Sequence, residues 1–363
     1  MKIIHVVENL NRGGLERVVV DLSKEQIRNG HQVLIICLFS EGELENEAIK
    51  NGCEVVALDK AKGFDIYSVI KLRNLITGYN GDVIHTHNPV SNYFTSISLI
   101  MTSLPIINTR HGMGDHKKSL KRELFYKISL LRTKMVVAVC NEARENFIKN
   151  SIVTREKSTV VKNGINIQLY SEPDVSIVSE LKEELGLNTN CIVFGTVGRL
   201  ISYKNHLALI DAFTTLDPEV VLIIVGGGEL FRDINAKVES LGLSDRVKIM
   251  GDQDNVPDYL ELFDIFIMPS MTEGYSLSLL EACAAKLPVL CTNVGGNKEI
   301  VEHKFNGLLL DGYDSESIHK GVCQILQEDY GLMGKRGFEW VSEFGTTEKV
   351  YSDYMECYNQ VFE

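Results

Sequence analysis

No C-x-x-C pair occurs among the eight cysteines, and several of them sit inside apolar runs. That is the usage of buried thiols in a reducing cytosol, not of a disulfide framework. No stretch is long and apolar enough to span a membrane. The longest, residues 97–107, is short and carries Ser and Thr. Residues 1–7 form an apolar strand pattern interrupted by His5 and followed by Glu8, too short and too polar for a signal peptide. No G-x-G-x-x-G follows that first strand. Asn11-Arg-Gly-Gly-Leu-Glu16 stands there instead, which disfavours a nicotinamide dehydrogenase. No internal repeat or low-complexity tract is visible.

What is present is 363 residues, long for one domain and comfortable for two. The net charge of −12 is unevenly spread. Through Ile165 there are 23 Lys and Arg against 17 Asp and Glu; after it, 14 against 32. The acidic second half does not suit nucleic acid. The basic first half suits an anionic surface or acceptor.

The first half alternates strand and helix: strands at 2–7, 33–38, 54–58, 83–86, 106–109 and 135–140, with helical patterns between them. Such alternation predicts an α/β fold with right-handed crossovers and a parallel sheet covered on both faces. The pattern breaks near residues 160–170, at Lys162-Asn-Gly-Ile-Asn. A polar segment, 171–184, then leads into a second β-α series with strands at 192–197, 220–225, 247–250, 265–268, 289–291 and 307–310. The domain boundary is expected at 165–175. From Trp340 on, Val350, Tyr354, Tyr358 and Val361 recur at helical spacing, which reads as ordinary packing.

The second half is organised around Pro269-Ser-Met-Thr-Glu-Gly-Tyr-Ser-Leu-Ser-Leu-Leu-Glu-Ala282. Strand, tight loop and helix start follow one another, so the N–H groups of Ser276, Leu277 and Ser278 are expected to point outward. Such a terminus attracts a phosphate. Glu273 and Glu281 bracket it, suited to accept hydrogen bonds from sugar hydroxyls. A phosphate between two such carboxylates describes a nucleotide-sugar, although glutamates near a helix start also meet the helix dipole without any ligand. Gly198-Arg-Leu-Ile-Ser-Tyr-Lys204 follows the first strand of this half. Arg199 and Lys204 are its only cations between Lys182 and Arg232, and they fit a diphosphate clamp. Val225-Gly-Gly-Gly-Glu229 is a further strand-to-helix loop, either a flexible connection or a floor for the nucleotide.

In the first half, the paired glycines Gly13 and Gly14 permit close backbone approach to a ligand. His85-Thr-His87 puts two rings on one strand face, where a metal pair is conceivable, but no third ligand is placed by the sequence and a polar strand end is the plainer reading. Arg110-His111-Gly112 ends the next strand, where ligands bind in open α/β sheets. Residues 116–134 are basic and amphipathic, with Leu120, Leu124, Phe125, Ile128 and Leu131 at helical spacing. They describe either a surface for anionic lipid headgroups or a solvated face over a packed helix.

With these pieces in place, almost the whole chain resembles the family-4 retaining glycosyltransferases of the GT-B fold. The marks are Gly13-Gly14-x-Glu16, His111-Gly112, Asn163-Gly164, Gly198-Arg199 with Lys204, Glu273-x7-Glu281, and Gly295-Gly296 before Glu299-Ile300-Val301. The resemblance implies two facing Rossmann-like domains with the active site in the cleft. Residues 1–168, joined by a C-terminal helix at 345–363, would bind the acceptor; residues 169–344 would bind the donor. Arg199, Lys204 and the N–H groups of Leu277 and Ser278 would hold the diphosphate. Glu281 would take the ribose, Glu273 the donor sugar, and Gly251 and Gln253 would lie by the base. Gly14 would approach the phosphate. His111 would sit by the sugar, with Gly13, Gly14, Glu16, His87 and His111 toward the acceptor.

Many members carry Phe-Gly after the Glu-Gly pair. Here it is Tyr275-Ser276, whose serine side chain is expected to narrow the loop. A UDP-sugar donor is favoured, with a glycan or lipid-linked acceptor at the inner face of the membrane and a role in cell-surface polysaccharide synthesis. No metal or other cofactor is expected. The alternatives are a sugar-nucleotide epimerase, which lacks an acceptor; a phosphorylase, for which no pyridoxal-phosphate lysine can be placed; and a non-catalytic nucleotide-sugar binding protein.

Overall fold

A computed structural model describes residues 1–61, 63, 65–113, 120–171, 174–187 and 190–362. The chain divides into two compact units, Met1–Ile165 with Thr347–Glu363, and Asn166–Thr346. Each is built on one parallel sheet.

The first unit contains β1 (Lys2–Val7), α1 (Gly14–Arg28), β2 (Gln32–Cys37), α2 (Glu45–Lys50), β3 (Glu54–Ala57), α3 (Ile66–Tyr79), β4 (Val83–His87), α4 (Asn88–Ser98), β5 (Ile106–Arg110), α5 (Leu120–Ser129), β6 (Met135–Ala138), α6 (Asn141–Lys149) and β7 (Ser158–Val160). Its strands lie in the order β3-β2-β1-β4-β5-β6-β7. β1 and β2 are mostly Val, Ile and Leu because both faces are covered, while β4 (VIHTH) and β5 (IINTR) end in buried polar residues. The sequence order reverses between β1 and β4, which pair in parallel with His5 opposite His85. Ligands of open α/β sheets bind beyond the carboxyl ends at such a reversal.

The second unit contains α7 (Gln168–Ser171), α8 (Val175–Glu184), β8 (Ile192–Val197), α9 (His206–Phe213), β9 (Val220–Val225), α10 (Phe231–Ser240), β10 (Val247–Gly251), α11 (Val256–Leu260), β11 (Ile265–Met268), α12 (Leu277–Ala284), β12 (Val289–Thr292), β13 (Gly307–Leu310), α13 (Ser315–Ile325) and α14 (Tyr330–Phe344). Its strand order is β10-β9-β8-β11-β12-β13, reversing between β8 and β11. One apolar cluster runs from Phe194 through Phe213 and Ile267 to Ile325.

Two expectations are corrected here. Residues 171–184 are not a plain polar connection. They hold α8, started by the Asp174 side chain accepting from the amides of Ser176 and Ile177. The other concerns the stripe of Tyr354 and Tyr358, which is more than plain packing because both hydroxyls are hydrogen-bonded; α14 ends at Phe344, and α15 (Thr347–Gln360) belongs to the first unit. There Val350, Tyr354 and Tyr358 pack with Ile3, Leu22, Val83 and Ile107. Residues 114–119 of the basic stretch lie outside the described residues.

Candidate functional site

In the second unit, the chain leaving β8 passes through Gly198 and Arg199 into a short 3₁₀ turn, Ser202–Lys204. Asn205 closes that turn in the left-handed conformation, φ +65°. Its side-chain amide donates to the carbonyls of Pro269 (3.1 Å) and Tyr313 (2.6 Å). The N–H of Met271 donates to the Tyr203 carbonyl (2.8 Å). The turn is thus stitched to the loop leaving β11, and Lys204 Nζ meets Glu273 Oε1 at 2.7 Å. The two side chains are only 15% and 11% exposed. Arg199 is exposed, and its guanidinium donates to the Tyr203 hydroxyl at 3.1 Å.

The Glu273 loop has a second wall. Gly296 donates its N–H to the Gly274 carbonyl (2.7 Å), and the Thr292 hydroxyl donates to the Ser270 carbonyl (2.6 Å). At Gly295, φ is +53°, and a Cβ there would run into the Glu273 carbonyl oxygen. Gly295→Ala is therefore expected to cost more than about 1 kcal/mol in urea unfolding, and to displace the Glu273 loop.

At the start of α12, the Ser276 side chain makes no cap to the helix N–H groups. Its hydroxyl turns inward, onto Met268 Sδ at 3.4 Å, and the residue is buried. The expected narrowing of the loop is thus corrected: the hydroxyl points into the core, so the first helical amides keep no side-chain acceptor from Ser276. One turn on, Glu281 Oε1 accepts from the Tyr170 hydroxyl of α7 at 3.0 Å. Tyr170 carried no sequence signal, because it reaches Glu281 from across the unit.

The glycine loop after β9 is not a flexible connection. It zips onto the loop after β8: Leu200 N–H donates to the Gly227 carbonyl (2.8 Å) and Leu230 N–H to the Leu200 carbonyl (3.0 Å). Side chains at Gly226 or Gly228 would strike the backbone of Gly198 or Leu200. Gly251 accepts from the Gly226 N–H (2.7 Å), and the Gln253 side-chain amide donates to the Met250 carbonyl (2.7 Å). Loops carrying Arg199, Gly227, Glu273 and Gly295 all leave the carboxyl edge of one sheet.

In the first unit, Gly13, Gly14 and Glu16 stand where β1 passes into α1, with Gly13 extended and Glu16 folded back close to it. His111 follows β5 at the same carboxyl edge. Its N–H donates to Asn88 Oδ1 (3.1 Å), and its Nε2 lies 3.0 Å from His87 Nδ1. Its Nδ1 is buried and has no partner among the described residues. Burial pushes the His111 pKa down to about 3, so the ring is neutral.

His87, expected to touch the acceptor, is fully buried with both ring nitrogens engaged by His5 and His111; it stands behind His111. His5 Nδ1 is 2.9 Å from His87 Nε2, and His5 Nε2 is 2.9 Å from Gln26 Oε1. The sequence marked His85-Thr-His87, His111 and a histidine breaking the apolar run of β1, but nothing in it joined His5 or Gln26 to the others.

The amphipathic stretch also differs from the packed-helix reading. Among the described residues of this stretch Tyr126, Ser129, Leu130 and Thr133 are buried, while Leu124, Phe125, Ile128 and Leu131 are exposed. Glu123 pairs with Arg110 at 2.8 Å. Ile100 and Met101, just beyond the neighbouring α4, are exposed too. No helix among the described residues is long and apolar enough to cross a membrane.

Comparison with known proteins places both units. Residues 12–169 match the family model "Glycosyltransferase Family 4", and residues 178–337 match "Glycosyl transferases group 1". The chain is 29% identical to the UDP-Gal:alpha-D-GlcNAc-diphosphoundecaprenol alpha-1,3-galactosyltransferase of Escherichia coli, over 83% of this chain and 82% of that one. It is 26% identical to the N-acetyl-alpha-D-glucosaminyl L-malate synthase of Bacillus anthracis, over 96% and 94%. Its fold is similar to that of Anabaena HepE in complex with UDP-glucose, with a TM-score of 0.88 at 22% identity, covering 99% and 100% of the two chains.

Proposed function

Since this chain belongs to the family-4 glycosyltransferases, with a GT-B fold of two Rossmann-like units, we propose that it transfers a sugar from a UDP-sugar, with retention, to a hydroxyl of a lipid-linked or glycan acceptor. The observation that carries this reading is the Lys204–Glu273 pair at the start of α12. An ammonium and a carboxylate are held together beside helix amides that Ser276 leaves uncapped. The helix amides, Lys204 and Arg199 suit a diphosphate leaving group, whose charge grows as the glycosidic bond breaks. Glu273 suits the hydroxyls of the transferred sugar, and Glu281, steadied by Tyr170, those of the ribose. The neutral His111 suits a substrate hydroxyl. The departing phosphate takes the acceptor's proton, so no protein nucleophile is required.

UDP favours the donor because the Escherichia coli relative is named for UDP-Gal and HepE holds UDP-glucose. The diphosphoundecaprenol of the Escherichia coli relative's name supports a lipid-linked acceptor. The test is a thermal-shift screen of UDP-, GDP- and ADP-sugars, followed by acceptor-dependent product analysis. A UDP-sugar is expected to raise the melting temperature by mass action. Stabilisation by GDP- or ADP-sugars alone, or release of UDP with no acceptor-dependent product, sinks the reading.

We also propose that the enzyme works peripherally on the cytoplasmic face of the membrane. Leu124, Phe125, Ile128 and Leu131 form an exposed apolar stripe beside basic residues, which suits an anionic lipid surface. Flotation with anionic vesicles at low salt is expected to carry the protein, and Phe125→Ser with Leu131→Ser to abolish this. Equal flotation of that variant, or none by the wild type, counts against membrane docking.

A further inference from the structure

Behind His111 lies a buried chain of polar side chains that the transfer chemistry above does not use. His111 Nε2 meets His87 Nδ1 (3.0 Å), His87 Nε2 meets His5 Nδ1 (2.9 Å), and His5 Nε2 meets Gln26 Oε1 (2.9 Å). Gln26 Nε2 donates to the Tyr358 hydroxyl (3.2 Å), which meets His85 Nδ1 (2.8 Å). His85 Nε2 meets Thr109 Oγ1 (2.7 Å), which meets the Tyr354 hydroxyl (3.0 Å). His5, His85 and His87 crowd closely enough for their nitrogens to suit a metal ion. Yet all six of their ring nitrogens already have protein partners, and the cluster has no carboxylate to offset a dication. The cluster is a hydrogen-bond relay.

The relay has a direction. Gln26 Oε1 can only accept, so His5 carries its proton on Nε2 and accepts at Nδ1. His87 must then donate from Nε2 and accept at Nδ1, and His111 must donate from Nε2. The other arm closes consistently: Gln26 donates to Tyr358, Tyr358 to His85, His85 to Thr109 and Thr109 to Tyr354. Each of these contacts then pairs one donor with one acceptor. The one lone pair left over is on His111 Nδ1, the buried atom without a partner among the described residues.

We propose that Gln26, His5 and His87 are positioning residues that fix His111 as the Nε2–H tautomer, so that its Nδ1 accepts a hydrogen bond from a substrate hydroxyl. Tyr358, on the returning helix α15, belongs to the same device. Its hydroxyl accepts from the Gln26 amide nitrogen at 3.2 Å, the contact that accompanies an amide oxygen facing His5. If the amide turned over, every ring in the arm would reverse and His111 would present an N–H instead. A hydroxyl that donates to Nδ1 gains nucleophilic character or is held in place; an N–H there can do neither in the same way. The kinetic part of this inference rests on the glycosyl-transfer reading, but the tautomer part does not.

The test uses the full chain labelled with 15N-histidine, with ring resonances assigned by single His→Asn changes. Long-range proton–nitrogen spectra report which nitrogen of a neutral ring carries the proton. A single Nε2–H tautomer is expected at His5, His87 and His111. Gln26→Leu and Tyr358→Phe should each let the Nδ1–H form appear at His111, several residues away from the change. Gln26→Glu, which keeps an acceptor toward His5, should retain the wild-type pattern. Tyr358→Phe removes one hydroxyl only, so it serves where Gln26→Leu fails to fold. With UDP-sugar as donor, Tyr358→Phe is expected to lower kcat about tenfold and leave the donor KM nearly unchanged. A His111 ring already Nδ1–H in the wild type, or a His111 tautomer unmoved by both variants, overturns the proposal. Stoichiometric zinc in the purified chain, lost in His85→Asn, overturns it too. An intact tautomer response with no transferase activity would instead count against the transfer reading alone.

Discussion

Arg199→Ala is expected to lower sugar-transfer turnover by roughly a hundred- to a thousandfold, the cost of losing one preorganised donor to a developing negative charge, at an unchanged melting temperature. The side chain is exposed and, among the described residues, holds the Tyr203 hydroxyl at 3.1 Å, so the fold does not depend on it. Lys204→Ala is expected to do the same damage to turnover and also to lower stability by about 1–3 kcal/mol, because it strands the nearly buried Glu273 carboxylate without its partner. Adding Glu273→Gln to Lys204→Ala should restore most of the stability and none of the turnover. Steady-state kinetics beside urea unfolding separate the two effects. Near-normal transfer by Arg199→Ala, or recovery of turnover in the double variant, would remove these cations from the mechanism.

Mild acid should unfold the first unit before the second. Burial holds His5 near pKa 4, against 6.5 in the unfolded chain, and holds His85 and His87 well below 6.5. Between those values the unfolded state binds more protons than the native one, so stability falls as pH drops below 6.5 and is fully present above it. Burial holds His111 near 3 as well; each such proton is worth about 1.4 kcal/mol per pH unit, so four buried rings give a slope of about 5.5 kcal/mol per unit. Asp21 opposes them. Burial raises its pKa from 3.8 to about 6, with Arg17 pulling the other way. Over that interval the native state holds the extra proton, which returns about 1.4 kcal/mol per unit. The net slope, about 4 kcal/mol per unit, exhausts an ordinary domain stability of roughly 5–15 kcal/mol within a few units.

The second unit has His206 as its comparable ring, held near pKa 4 by burial and by Lys204. Its single tryptophan, Trp340 in α14, gives that unit its own fluorescence signal. Tyr126, Tyr354 and Tyr358 give the first unit the larger share of the near-ultraviolet tyrosine dichroism, with Tyr259 and Tyr275 buried in the second. On titration from pH 7.5 to 4.5 in a fixed low urea concentration, the tyrosine signal should collapse first. Simultaneous loss, or loss of the Trp340 signal first, would mean the histidine cluster is not buried neutral.

The sheets were readable because each strand is a run of β-branched and leucine residues between glycine-punctuated helices, a pattern that covered parallel strands require. The loop from Pro269 to Glu281 was readable for a similar reason: its carboxylates, glycine and helix start are adjacent in the chain. What escaped was short or distant. Strand β7 has three residues, too few to show a period. Helix α8 buries only Val178 and Leu181, so its apolar stripe is faint and Asp174 was its clearest mark. The Tyr170–Glu281 contact joins residues 111 positions apart, and the His85–Tyr358 contact joins residues 273 apart. No local pattern encodes either pairing. Tyr354 and Tyr358 read as plain packing because a helical stripe records burial but not the hydroxyl's partner.

The return of α15 to the first unit sets an order on folding during synthesis. Residues 166–346 form a contiguous body and can close as soon as they leave the ribosome. The earlier half cannot: its sheet emerges first, yet the seat of Val350, Tyr354 and Tyr358 stays uncovered until the final helix arrives. In the nascent chain the later body is therefore complete before the earlier one. During that wait the imidazoles of β1 and β4 lack the cover and the hydroxyl partners that Tyr354 and Tyr358 bring.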